Sequence, residues 1–208
     1  AILEKTGGGA QQVEDNHSAR VPAQALRPVL TEIAEASGDA FFGLNAAREI
    51  QQDIFGLLGY ILINSPNLVE FWRNIELYYP LVNDVNVMIL HGERPPYFLA
   101  CEMPVVSSEQ DRHSLEHTMA SWSVFCERFV GLETPALEVH LRHQQPDIPG
   151  AEAMYFELFK APVLFGQQRN GLVISAELAQ EPIRQADARL LEILTTRAGE
   201  IKGELETS

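Results

Sequence analysis

A histidine–glutamate–histidine pattern is the sharpest potential metal site in the chain. His113, Glu116 and His117 fit the spacing H-x-x-E-H, an inverted zinc-protease pattern. On a helix this spacing places two imidazoles one turn apart with a carboxylate beside them, as zinc hydrolysis requires. We expect these residues to form a polar turn near solvent instead, because the apolar face of the segment runs through Leu115 and Met119. We therefore predict no metal and no enzyme, and keep a zinc hydrolase as an alternative.

Other catalytic signatures are missing from the sequence. It contains no G-x-S-x-G elbow, P-loop or G-x-G-x-x-G fingerprint. Gly7, Gly8 and Gly9 do not follow a strand pattern, so they predict a flexible segment rather than a phosphate cradle. We expect no cofactor.

Aromatic residues concentrate in the middle of the chain, on elements that should meet in the fold. Apolar pockets with a few polar groups are the common form of a small-molecule site, and a cation there would pair with an anionic ligand. The predicted ligand contacts are Trp72, Tyr79, Arg94 and Tyr97. The alternative is that the three rings are core residues and that the arginine lies on the surface.

Composition limits the class of protein. The 208 residues carry a formal net charge of −14, which disfavours direct binding to phosphate backbones. No apolar run reaches the roughly 20 residues needed to span a bilayer, and the N-terminus lacks the pattern of a signal peptide. Cys101 and Cys126 lie among apolar residues and are expected to be buried thiols. We therefore expect a cytoplasmic globular protein with no membrane contact.

Helical periodicity dominates the first 80 residues and returns later in the chain. We expect the predicted helices to have the approximate bounds 22–37, 44–62, 68–79, 110–130, 151–160 and 187–205.

Strand patterns occupy most of the second half. Residues 85–103 predict a hairpin, with Val85, Val87 and Ile89 alternating before a turn at 91–96. Leu137, Val139 and Leu141 predict the apolar face of a half-buried strand. Short strands at 163–165 and 172–174 flank Asn170 and Gly171, a pair typical of a tight turn. The predicted fold class is α+β: N-terminal helices followed by a mainly antiparallel sheet with helices packed on it.

Several segments, in order from about residue 21 to residue 195, carry a family resemblance, and two of them are long. The stretch from Phe55 to Leu68, FGLLGYILINSPNL, resembles the "FGLLGY…SSPTL" block of a group of AraC/XylS-type transcriptional regulators. The stretch from Phe159 to Leu172, FKAPVLFGQQRNGL, is similar to their "F…PVRFGQPRNAL" segment. Where relatives often have "RHPRP", this chain has Arg142-His-Gln-Gln-Pro146, so that loop departs from the pattern. The chain thus resembles the N-terminal, arabinose-binding-type effector domain of this family.

The resemblance implies a ligand-sensing and dimerising domain of a bacterial transcription regulator. We expect residues 1–20 to form a flexible tail, 21–186 the sensor domain, and 187–208 a terminal helix leading to a helix-turn-helix domain absent from this chain. DNA would be bound only through that absent domain, and the effector would be a small molecule of unknown identity. Beside the zinc hydrolase, the alternative is a structural or dimerisation domain without a small-molecule ligand.

Overall fold

The computed structural model describes residues 31–83, 86–103 and 112–207. The predicted tail, the beginning of the first predicted helix, Val85 and residues 110–111 lie outside these ranges. Residues 31–37 are helical. The later helices are α1 Phe42–Ala47, α2 Gly56–Ile63, α3 Leu68–Tyr78, α4 Arg112–Phe125, α5 Ala151–Phe159, α6 Ala176–Ala179 and α7 Ala188–Glu206. The described residues contain no helix long and apolar enough to cross a membrane.

The single helix predicted over residues 44–62 is wrong. Helix α1 ends at Ala47, and a 3-10 turn at Gln52–Phe55 precedes α2. Gly56 joins the turn to α2 with φ near +50°, a backbone conformation that glycine adopts at little cost. Periodicity missed this break because the segment is apolar on both sides of it.

The other predicted helices agree with the structure to within a few residues where it describes them, but the short helix α6 was not predicted. Asn67 caps α3, since its side-chain oxygen accepts a hydrogen bond from the amide of Glu70 at 3.0 Å. Helix α4 continues through a π-helical turn at Cys126–Val130, and the side chain of Asp187 caps α7.

The sheet is mainly antiparallel and has the strand order β1-β2-β5-β3-β4. Its strands are β1 Val87–His91, β2 Tyr97–Glu102, β3 Glu138–His140, β4 Val163–Leu164 and β5 Gly171–Ile174. Strands β1 and β2 form the predicted hairpin, whereas β3 separates β4 from β5 and pairs parallel with β4. The tight turn predicted at Asn170 and Gly171 is therefore wrong, because Gly171 begins β5. Leu137 was also expected to face the core, but it precedes β3 and is 50% exposed.

Helix α4 runs through the centre of the domain, and most of its side chains are buried. Its close approach to α1 requires Gly43, where an added Cβ would lie 2.2 Å from the carbonyl oxygen of His113. On α2, Gly59 likewise allows the backbone of Gln52 to lie close to the helix, since an added Cβ would be 2.7 Å from the carbonyl oxygen of Gln52. Both cysteines are free and buried, as predicted.

Candidate functional site

A buried ionisable cluster surrounds Glu116 on α4. The side chain of Glu116 is fully buried and accepts hydrogen bonds from the hydroxyl of Tyr155 on α5 and from Arg112 Nη1 at 3.2 Å. His143, in the loop after β3, places its Nε2 atom 3.5 Å from Glu116 Oε1. The expectation of a polar turn near solvent is therefore wrong, because α5 and the loop after β3 cover this side of α4.

Burial controls the charge of this carboxyl group. Desolvation raises the pKa of Glu116 from 4.5 to about 7, although Arg112 and the Tyr155 hydroxyl act in the opposite direction. Burial also lowers the pKa of His143, and Arg112 adds to that effect. Near neutral pH the cluster therefore holds a carboxyl group close to half-protonation beside a neutral imidazole.

The two histidines of the H-x-x-E-H pattern contact α1. His113 Nδ1 accepts a hydrogen bond from the amide of Gly43 at 3.3 Å, and its distance to Glu116 Oε2 is 3.9 Å. Burial lowers the pKa values of His113 and His117, so both imidazoles favour the neutral form. Within the described ranges, no three His, Cys, Asp or Glu side chains are grouped as metal ligands. In this fold the two histidines of the pattern therefore pack α4 against α1.

Tyr155 connects the buried cluster to a cavity at the edge of the domain. Its hydroxyl bonds to Glu116, while the residue also lines the cavity. The Tyr155 ring meets the Phe165 ring edge-on at 4.9 Å, and His143 lies 5.6 Å from Phe165. These three rings therefore form one layer between the cavity and Glu116.

The cavity lies between the first turns of α5 and the segment around β4, and its volume is about 770 Å³. This volume falls within the ~300–1,000 Å³ range of small-molecule sites. Apolar side chains form much of its lining, including Ile148, Phe156 and Phe165, and Gln145 and Glu152 add polar groups. Phe156 is 58% exposed at the rim. The lining therefore combines apolar rings with polar groups, so it can contact both the apolar and the polar parts of a compact ligand.

The residues predicted as ligand contacts lie elsewhere. Trp72 and Tyr79 are buried core rings that contact Phe71 at 4.7 Å and Trp122 at 5.6 Å, respectively. Tyr97 is buried in β2, and Arg94 is exposed in the turn between β1 and β2.

The indole nitrogen of Trp72 could still donate a hydrogen bond to a ligand. Its Nε1 atom is buried and has no acceptor among the described residues. The assignment of Trp72, Tyr79, Tyr97 and Arg94 as ligand contacts stays a prediction.

Sequence reasoning missed the Glu116 cluster and the cavity beside it. Their residues come from α4, the loop after β3, α5 and β4, which are far apart in sequence. One signal was available: Ala120, Ser121 and Ser123 are small residues typical of a helix that is packed on all sides.

The chain is an α+β domain with a ligand-sized cavity at its edge, and a family match identifies the kind of domain. Residues 1–183 match the family described as the arabinose-binding domain of AraC transcription regulators, N-terminal. The chain belongs to this family, as the resemblance predicted.

A solved structure shows the same fold. The chain is similar to the crystal structure of the transcriptional regulator CdpR from Pseudomonas aeruginosa, with a TM-score of 0.64 and 13% sequence identity. The match covers 96% of this chain and 65% of that chain. No curated protein sequence matches the chain.

Proposed function

We propose that this domain binds a small-molecule effector in the cavity between α5 and β4, and so regulates transcription through a DNA-binding domain. Family membership supports a regulator that meets its DNA in the bacterial cytoplasm and catalyses no reaction. The observation that carries the proposal is the cavity itself, a ligand-sized space backed by a buried ionisable cluster. The family's name mentions arabinose, so the screen includes arabinose beside other classes of small molecule.

Ligand binding would act by shifting populations between domain arrangements. A ligand shifts such an equilibrium only through unequal affinity for the two states. Helix α7 is the natural lever, because it follows the rest of the domain in the chain. Two hydrogen bonds help to attach it: Asn64 Oδ1 accepts from the amide of Asp187 at 3.1 Å, and the Tyr78 hydroxyl donates to the carbonyl of Thr195 at 3.5 Å. Leu191, Leu194 and the buried Ala198 also pack it against the core.

A thermal-shift screen of the purified domain tests effector binding. Amino acids, amines, short organic acids, fatty acids and sugars including arabinose form the panel. A ligand at one hundred times its dissociation constant stabilises the folded state by about 2.7 kcal/mol, which is readily measured. A hit should be lost in Ala153→Trp, because Ala153 is exposed on α5 and lines the cavity, so the larger side chain fills it.

The matched control is Ala188→Trp, which places the same side chain on an exposed helical position away from the cavity lining. Ligand binding that survives Ala153→Trp but is lost in Trp72→Phe or Arg94→Ala would move the site to the contacts predicted from sequence. A flat screen across the panel would favour the alternative, a structural interaction domain without a ligand.

We also propose that the domain forms a homodimer. Helix α7 supports this because Leu190 and Ile193, three residues apart on one side, are 40% and 66% exposed. The mass of the wild-type domain in solution, measured by light scattering, should be about twice that of Ile193→Glu. A monomeric wild-type domain, or a dimer unaffected by Ile193→Glu, would contradict this assignment of the surface.

A further inference from the structure

The ligand class follows from the charges at the cavity, given the proposed function. We propose that the cavity takes an organic cation, an ammonium group on a compact apolar body, rather than a carboxylate or phosphate.

The cavity lining carries negative charge only. Glu152, in the first turn of α5, lines the cavity and is exposed, and no Lys or Arg belongs to the lining within the described residues. Arg48 contacts the same helix but pairs with Glu157 at 2.9 Å. An anion in the cavity would lose hydration without meeting an opposite charge, which is unfavourable.

The N-terminus of α5 also faces the cavity, and its dipole acts in the opposite sense. That dipole is equivalent to roughly half a positive charge. The full negative charge of Glu152 in the same turn outweighs it. Because Glu152 is the only charged side chain among the lining residues that the structure describes, the lining favours a cation over an anion.

Aromatic rings complete the site. Phe156 follows Glu152 by four residues, so both side chains lie on one side of α5. Phe165 stands across from the helix, with Tyr155 perpendicular to it at 4.9 Å. A cation over an aromatic face gains about 0.5–1 kcal/mol at an exposed site and more when water is excluded. One carboxylate beside two accessible phenyl rings can bind an ammonium group and bury the apolar body attached to it.

Three probes with one shared body test this inference. Phenethylamine, 2-phenylethanol and 3-phenylpropanoate are titrated into the purified domain, and amide shifts of the α5 first turn are followed by NMR. Phenethylamine should bind with a dissociation constant of about 1 mM, as expected for a fragment of this size. The alcohol should bind several-fold more weakly, and the carboxylate should not bind.

Removing the charge of Glu152 is the second test of this inference. Glu152→Gln keeps the shape of the side chain and should weaken phenethylamine binding about three- to tenfold while leaving the alcohol unchanged. Glu76→Gln, on the exposed side of α3, removes one negative charge outside the cavity lining and should leave both affinities unchanged.

The outcomes separate this inference from the proposed function. Preferential binding of the carboxylate, or an amine affinity insensitive to Glu152→Gln, overturns the cation assignment but leaves effector binding in the cavity intact. Absence of amine binding also overturns the assignment, whereas the proposed function then depends on the wider screen and its Ala153→Trp control.

Discussion

The buried carboxyl group of Glu116 should make the stability of the domain depend on pH in a defined direction. Its folded-state pKa is about 7 against an ordinary value of 4.5, so the folded protein holds a proton that the unfolded chain releases. A group with a raised folded pKa contributes stability that is complete below the unfolded pKa and is lost as pH rises through the folded pKa. Stability from Glu116 should therefore decline from pH 4.5 to about pH 7 and then level off.

The magnitude follows from the size of the shift. At 1.36 kcal/mol per pKa unit, a shift from 4.5 to about 7 corresponds to about 3 kcal/mol of unfolding free energy. His113, His117 and His143 act in the opposite direction, because their lowered pKa values contribute stability at neutral pH that is lost as pH falls below about 6.5. The total pH profile mixes these groups, so the effect of Glu116 must be isolated by a difference.

Glu116→Gln provides that difference. The amide keeps the shape of the side chain and can still accept from the Tyr155 hydroxyl, but it does not titrate. Urea unfolding is followed by tryptophan fluorescence, since Trp72 and Trp122 are both buried. From pH 4.5 to pH 8, the free energy of unfolding of the variant should rise by about 3 kcal/mol relative to wild type.

Glu76→Gln, at an exposed position, is the matched control for the removal of one negative charge outside the cluster. A difference for Glu116→Gln that stays constant within about 1 kcal/mol would refute the reasoning. A constant difference is the result expected if the ion pair with Arg112 outweighs burial, because a carboxyl group ionised throughout this range changes the stability by less than about 1 kcal/mol between pH 4.5 and pH 8.

Three further substitutions test other contacts in the domain. Tyr155→Phe removes a hydrogen bond that lowers the pKa of Glu116, so the pH-dependent loss of stability should move to higher pH in the same unfolding assay. Gly43→Ala places a Cβ 2.2 Å from the His113 carbonyl oxygen and should reduce the free energy of unfolding by about 1–3 kcal/mol, measured in urea. Asn67→Ala removes the cap on the Glu70 amide and should cost about 1 kcal/mol, whereas Asn67→Asp should retain most of it.

Local patterns predicted the helices because their signals lie within one or two turns. Asn67 and Asp187 each accept from an amide of the helix that follows, so capping positions marked where α3 and α7 begin. The same local reasoning failed between α1 and α2, where the first helix ends at Ala47 and a 3-10 turn and Gly56 precede the second. Apolar spacing reports which side of a helix is buried, but it does not report a break between two buried helices.

Strand order depends on pairings that the sequence does not contain locally. Asn170 was interpreted as a turn residue, yet its side chain accepts from the amide of Arg142 and its carbonyl accepts from the amide of Cys101. These bonds join β5 to the chain on both of its sides. An asparagine followed by glycine suits a tight turn, and it also suits the position that these residues occupy at the start of β5. The identity of the two residues therefore could not distinguish a turn from a strand.

The Glu116 cluster illustrates why function was harder to locate than fold. The spacing H-x-x-E-H is the same whether its carboxylate faces solvent, a metal or another helix. The environment of the Glu116 carboxylate depends on its burial by Tyr155 and His143, which lie 39 and 27 positions further along the chain. Burial changes the chemistry of the glutamate from a solvated charge to a carboxyl group poised near neutral pH, and the cavity lies on the other side of the tyrosine that buries it. A ligand that contacts Tyr155 would therefore act on a hydrogen-bond partner of this buried carboxyl group, and this connection exists only in the folded chain.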